Sequence, residues 1–164
     1  SVVMINVLID YIVNILNSNK SLVAISIKQR AKFEGWLKFE LANALKNNGY
    51  SDTCVEYYVK KGKHIDIYAN ESFIELKTPN TSYRNTFSED VIRPITKNVS
   101  SIIDDINKLK PYNKPGYIAF VMFPLDKKGA YQNHVKKITV HLKAHAQKVV
   151  TINGEDVLVF SGEV

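Results

Sequence analysis

The run His64-Ile65-Asp66-Ile67-Tyr68-Ala69-Asn70-Glu71-Ser72-Phe73-Ile74-Glu75-Leu76-Lys77 constrains this chain more than any other stretch. Apolar and ionisable residues alternate on either side of the polar turn Ala69-Asn70-Glu71-Ser72, which predicts two short strands joined as a hairpin. Successive strand side chains point to opposite faces. Ile65, Ile67, Ile74 and Leu76 are therefore expected on one face, and the ionisable groups on the other. Symmetry about Asn70 and Glu71 sets Asp66 across from Glu75, and His64 across from Lys77. Directly opposed residues have Cβ atoms about 4.5–5.5 Å apart. Two carboxylates at that distance repel each other, and a divalent cation between them reverses the sign of the interaction. The spacing predicts a metal site.

The chain has 164 residues, enough for one domain with its own core, and the expectation is a single domain over 1–164. Lys plus Arg number 22 against 16 Asp plus Glu, a net charge of +6, which favours a polyanionic partner. Only Arg30, Arg84 and Arg93 are arginines; the other basic residues are lysines. Lysine meets phosphate as a point charge, whereas reading of base edges prefers the arginine fork, so the bias suits backbone contact. Cys54 is the only cysteine, which excludes an intrachain disulfide and a cysteine-based zinc site, and it is expected to be a packed, inert thiol. Val2 to Leu16 lacks a basic leader, and Asn6, Asp10, Asn14 and Asn17 recur at helical spacing, so it reads as an amphipathic packing helix. No segment approaches transmembrane length, and a soluble, cytoplasmic protein is expected.

Along the chain, helices are predicted at about Met4–Asn17 and Ile27–Asn47, the second closed by Asn48-Gly49. Strands follow at about Cys54–Val59, Lys63–Tyr68 and Phe73–Lys77. Thr78 to Phe87 reads as a loop, and a helix from Ser88 to Leu109 carries Pro94 near its start. Tyr117 to Phe123 is nearly all apolar, as a central strand buried on both faces would be. A helix is expected over about Tyr131–Gln147, with His134, His141 and His145 along one stripe, too spread out to hold one ion. A hairpin, Val149–Ile152 and Val157–Phe160, turns at Asn153-Gly154.

Asp66, Glu75 and Lys77, with Leu76 between the last two, resemble the signature of the PD-(D/E)XK nuclease superfamily, the restriction-endonuclease-like proteins. Ile65 stands where the name-giving proline would be, a position that varies in that family. The resemblance spans about residues 27–123 in its order of elements. It implies an α/β fold with an α-β-β-β-α-β core and a central mixed sheet of four to five strands flanked by helices. The N-terminal helix and the C-terminal helix plus hairpin would be additions. It further implies a Mg²⁺-dependent nuclease, Mn²⁺ able to substitute, with nucleic acid, DNA first, as substrate. Asp66, Glu75 and the Leu76 carbonyl would hold the metal, while Lys77 would orient or deprotonate the attacking water. The family often adds a helical acid. Glu34, on the stripe of Leu37, Leu41 and Leu45, is preferred over Glu40 as that catalytic and metal-binding residue. His64, Tyr83 and Arg84 are candidate nucleic-acid contacts. Cutting both strands of a duplex would most simply need a homodimer. The alternatives are a catalytically silent nucleic-acid-binding module within a larger complex, and an interaction protein whose opposed acids are coincidental.

Overall fold

A computed structural model describes residues 1–81, 83 and 95–164 of the chain. Three helices come first: α1 (Val2–Ser18), α2 (Lys20–Gln29) and α3 (Glu34–Asn47). In α1, Met4, Ile5, Leu8, Ile9, Ile12 and Leu16 recur at three- and four-residue spacing and are buried together. The Ser1 side chain caps this helix by accepting the Met4 N–H at 3.3 Å. The single helix expected over Ile27–Asn47 is in fact two. Arg30 takes a left-handed conformation (φ 51°) that stops α2, and the chain restarts as α3 four residues on. Tertiary bonds hold that break: the buried Arg30 guanidinium donates to the Thr81 and Tyr83 carbonyls, and Asn80 Nδ2 donates to the Arg30 carbonyl at 2.7 Å. The end of α3 is as expected, with Gly49 at φ 99° and the Tyr50 N–H returning to the Leu45 carbonyl at 3.1 Å.

There follow β1 (Cys54–Lys60), β2 (Lys63–Ala69), β3 (Ser72–Lys77), α4 (Ile95–Leu109), β4 (Gly116–Met122), α5 (Tyr131–Thr139), β5 (Ala144–Ile152) and β6 (Glu155–Glu163). The proposed helix start at Ser88 lies outside the described residues, as does Arg84. The six strands form one mixed sheet ordered β1-β2-β3-β4-β6-β5, in which β3 and β4 run parallel and the other neighbours antiparallel. The sheet exceeds the four to five strands expected because the C-terminal hairpin pairs with β4 through β6 and so belongs to the sheet itself.

That hairpin also takes residues assigned to a helix. α5 ends at Thr139, and Ala144 to Lys148 pair with Val159 to Glu163, so His134 lies on a helix, His141 after it and His145 on a strand. The open edge of β6 needs a hydrogen-bonding partner, and that demand overrides the weak helical pattern. Asn153 and Gly154 both have positive φ, 49° and 84°, as the tight turn signalled by that dipeptide requires.

Each residue of β4 is buried, and alternate side chains serve opposite faces. Tyr117, Ala119 and Val121 join the core under α1, α2 and α3, while Ile118, Phe120 and Met122 join a second core under α4 and α5. Cys54 departs from expectation: it is exposed, at the outer end of an edge strand. Among the described residues no single helix is long and apolar enough to cross a membrane, and α1 and α2 meet at a 92° bend.

Candidate active site

The β2–β3 hairpin has the register expected from its symmetry: Ala69 faces Ser72, Tyr68 faces Phe73 and Ile67 faces Ile74. Carried one step further, the register brings Asp66 to Glu75. The backbone ladder stops before that step, because Asp66 does not keep to its face. Its Oδ2 accepts the Leu76 N–H at 2.8 Å, taking the place that a strand carbonyl would fill. The cause lies across the sheet. Val55 pairs with Ile67 and Tyr57 with Ile65, so Glu56 stands across from Asp66, and Glu56 has φ 52°. A left-handed residue within a strand breaks the two-residue alternation. Val55 and Ile67 consequently pack towards α1 and α3, but Tyr57 and Ile65 pack with Leu109 of α4. The expectation of all four apolar residues on one face is thus corrected: Ile65 crosses over, and the Asp66 carboxylate swings towards β3.

Glu75 is 3 % exposed and lies between β2 and β4. Its Oε1 accepts from Lys108 Nζ of α4 at 2.6 Å, and Lys108 also donates to the His64 carbonyl at 2.8 Å. Burial, then the hydrogen bond to Asp66 and that neighbour's charge, push the Glu75 carboxyl up to about 9 against the opposing pull of Lys108. Burial alone would lower the Lys108 ammonium, but the Glu75 bond and the charges of Glu75, Asp105 and Asp66 hold it above its ordinary value.

Lys77 continues on the face of Glu75 and lies 3.5 Å from Asp105 Oδ2 as an ion pair. Burial raises the Asp105 carboxyl, with Lys77 and Lys108 working against that shift. Glu34, in the first turn of α3, uses Oε1 to accept the Thr78 N–H at 3.1 Å, directly after Lys77. It anchors the end of β3 and is not gathered with Asp66 and Glu75. Glu40 instead lines a groove with Tyr11, Asn14 and Asn48 on the α1 side, away from the strand acids. Lys38, one turn after Glu34, pairs with Glu56 and feels the charges of Asp66 and Glu34. His64 is exposed, its ring 5.6 Å from that of Tyr58, and Tyr83 is half-buried with its carbonyl held by Arg30.

Asp105, Lys108 and Lys38 are the participants that the sequence reading missed. A signal for the first two exists: they sit three residues apart along one border of the α4 stripe Ile102, Ile106 and Leu109, where a charged side chain must face the sheet.

Among the described residues no three of His, Cys, Asp and Glu gather as a metal-binding group. Asp66 and Glu75 are two adjacent carboxyls, a hard oxygen set of the size that Mg²⁺ uses when it keeps several waters. The pair fits that ion, with Glu34 outside the set. Comparison of the chain with protein-family models, curated proteins and solved structures found no match.

Proposed function

We propose that this chain is a divalent-metal-dependent nuclease acting on DNA, of the PD-(D/E)XK type that its strand motif resembles. The observation that carries the reading is the break in β2. Asp66 leaves its ladder to lie against a buried acid that burial and repulsion disfavour in its charged form. A backbone ladder bond would hold Leu76 without setting two acids together, so an ordinary hairpin has no need of that arrangement. The order α3-β1-β2-β3-α4-β4, with β3 and β4 parallel, supports a restriction-endonuclease-like core. Asp66 and Glu75 would hold Mg²⁺ or Mn²⁺, whose bound water is more acidic and whose charge offsets that of the scissile phosphate. Lys77 projects from the same face as Glu75. In the nuclease reading it trades its ion pair with Asp105 for the attacking water or the phosphate oxygens. Lys108 shields Glu75 until the acid is engaged, and Glu34 fixes the strand end that carries Lys77.

Incubation of the protein with duplex and single-stranded DNA in Mg²⁺, Mn²⁺ or EDTA tests this directly. Cleavage is expected with either metal and not with EDTA. Lys77→Ala should reduce it by a factor of about 10²–10⁴, the range typical of a lost proton-transfer group, and Asp66→Asn should remove most of it by weakening the hold on the metal. Metal-independent cleavage, or full activity in both variants, would overturn the assignment. One observation favours the catalytically silent alternative: Lys108 already pairs with Glu75, so the cluster is neutralised from within. DNA binding with no cleavage under any metal would select that reading.

A further inference from the structure

We propose that the β1–β2 turn is a sequence-independent grip for the DNA backbone next to the cleavage site; this rests on the nuclease reading above. Lys60, Lys61, Gly62, Lys63 and His64 follow one another around the turn, and all are exposed. No acid lies among residues 57–65, and among the described residues none of Lys60, Lys61 and Lys63 makes an ion pair. Tyr58, 60 % exposed and edge-on to His64, stands at the base of the same projection. Three unpaired ammonium groups so close together repel one another, a cost that a polyanion removes.

Lysines on an edge strand can also discourage association between sheets. Here they collect at one end: of the outward positions along β1, Cys54, Glu56, Tyr58 and Lys60, only the last is a lysine, so that role does not account for the cluster. The position of the turn points the same way. Lys63 is three residues before Asp66 on β2, about 10 Å at the rise of a strand. Phosphates of one DNA strand are spaced about 3.4 Å along the helix axis. The turn therefore lies within a few nucleotides of a phosphate bound at Asp66 and Glu75. All three side chains are lysine, not arginine, so the contact grips phosphate without reading bases.

The test uses the full chain in EDTA, where the proposed cleavage is silent, and a labelled duplex followed by fluorescence anisotropy from about 50 to 200 mM salt. The triple variant Lys60→Gln, Lys61→Gln, Lys63→Gln should bind at least about tenfold more weakly at the higher salt, and its slope of log affinity against log salt should fall by about 2 to 3. Two unrelated duplex sequences should show the same loss, and the melting temperature should stay that of the parent. Parent-like affinity and slope in the triple variant would overturn the grip and leave the nuclease reading standing. A loss as described, in a parent that never cleaves with Mg²⁺ or Mn²⁺, would keep the grip and remove the nuclease. A parent that binds no duplex at the lowest salt would overturn the grip, and the cleavage assay would then decide the nuclease reading by itself.

Discussion

At the scale of single residues, Glu75 combines burial with a neighbouring acid and a single ammonium partner. Its carboxyl is raised to about 9, so between about pH 4.5 and 9 the folded chain binds a proton that the unfolded chain has released. A group shifted in that direction contributes stability that is complete below the unfolded value and is lost as pH rises through the folded one. In EDTA, the parent should lose stability relative to Glu75→Gln across that window, at a slope of at most about 1.4 kcal/mol per pH unit. The amide keeps the shape of the neutral acid and cannot ionise. Urea unfolding of both proteins at a series of pH values checks this, and parallel stability curves would contradict it. Asp105, also raised by burial, adds a slope of the same sign to both proteins and cancels in the comparison. The opposed pair Asp66 and Glu75 was legible from spacing alone. The reason the two tolerate each other was not, because Lys108 reaches Glu75 from 33 residues further along the chain.

At the scale of elements, structure is legible in the sequence where a local rule governs, and is hidden where a partner strand or a distant bond decides. The β2–β3 register, the Asn153-Gly154 turn and the Asn48-Gly49 helix end follow from turn chemistry read over a few residues. The split between α2 and α3 depends on Thr81, Tyr83 and Asn80 reaching Arg30, and strand β5 exists because β6 would otherwise lie open. The left-handed residue at Glu56 is the hardest to read, since glutamate carries no preference for φ 52°. It is held there by its place opposite Asp66 and by Lys38. Two substitutions isolate the backbone cost, because both remove the Lys38 pair equally. Glycine accepts the left-handed conformation freely, while a β-branched side chain there is strained. Glu56→Gly should therefore unfold at higher urea than Glu56→Val, by about 1–2 kcal/mol. Equal stabilities would show that the strand does not need the left-handed residue to turn Asp66 inward.

At the scale of the whole molecule, the sheet grades from a rigid centre to a lightly covered edge, and the candidate site sits between them. β4 is buried along all seven residues and belongs to two cores, whereas β1 alternates exposed and half-buried positions and ends in the lysine turn. Local opening requires few buried contacts, so the β1–β2 edge should open independently of β4 and β6. Hydrogen exchange measured amide by amide should find the slowest protons in β4 and β6 and the fastest around Lys61 to Lys63. Leu76 is the informative position between these limits. Its N–H is held by the Asp66 side chain, so its protection reports the Asp66–Leu76 contact itself. Asp66→Ala should speed exchange at Leu76 by at least about tenfold while leaving Ile118 and Phe120 unchanged, since a lost hydrogen bond to a charged group is worth about 1.5–3 kcal/mol. Mg²⁺ added to the parent should slow exchange at Leu76 if the carboxylate pair takes the ion, and should not do so in Asp66→Ala. If Leu76 in the parent already exchanges as fast as the turn, Asp66 does not hold the Leu76 N–H in solution. The carboxyl pair would then be too loosely held to orient a metal.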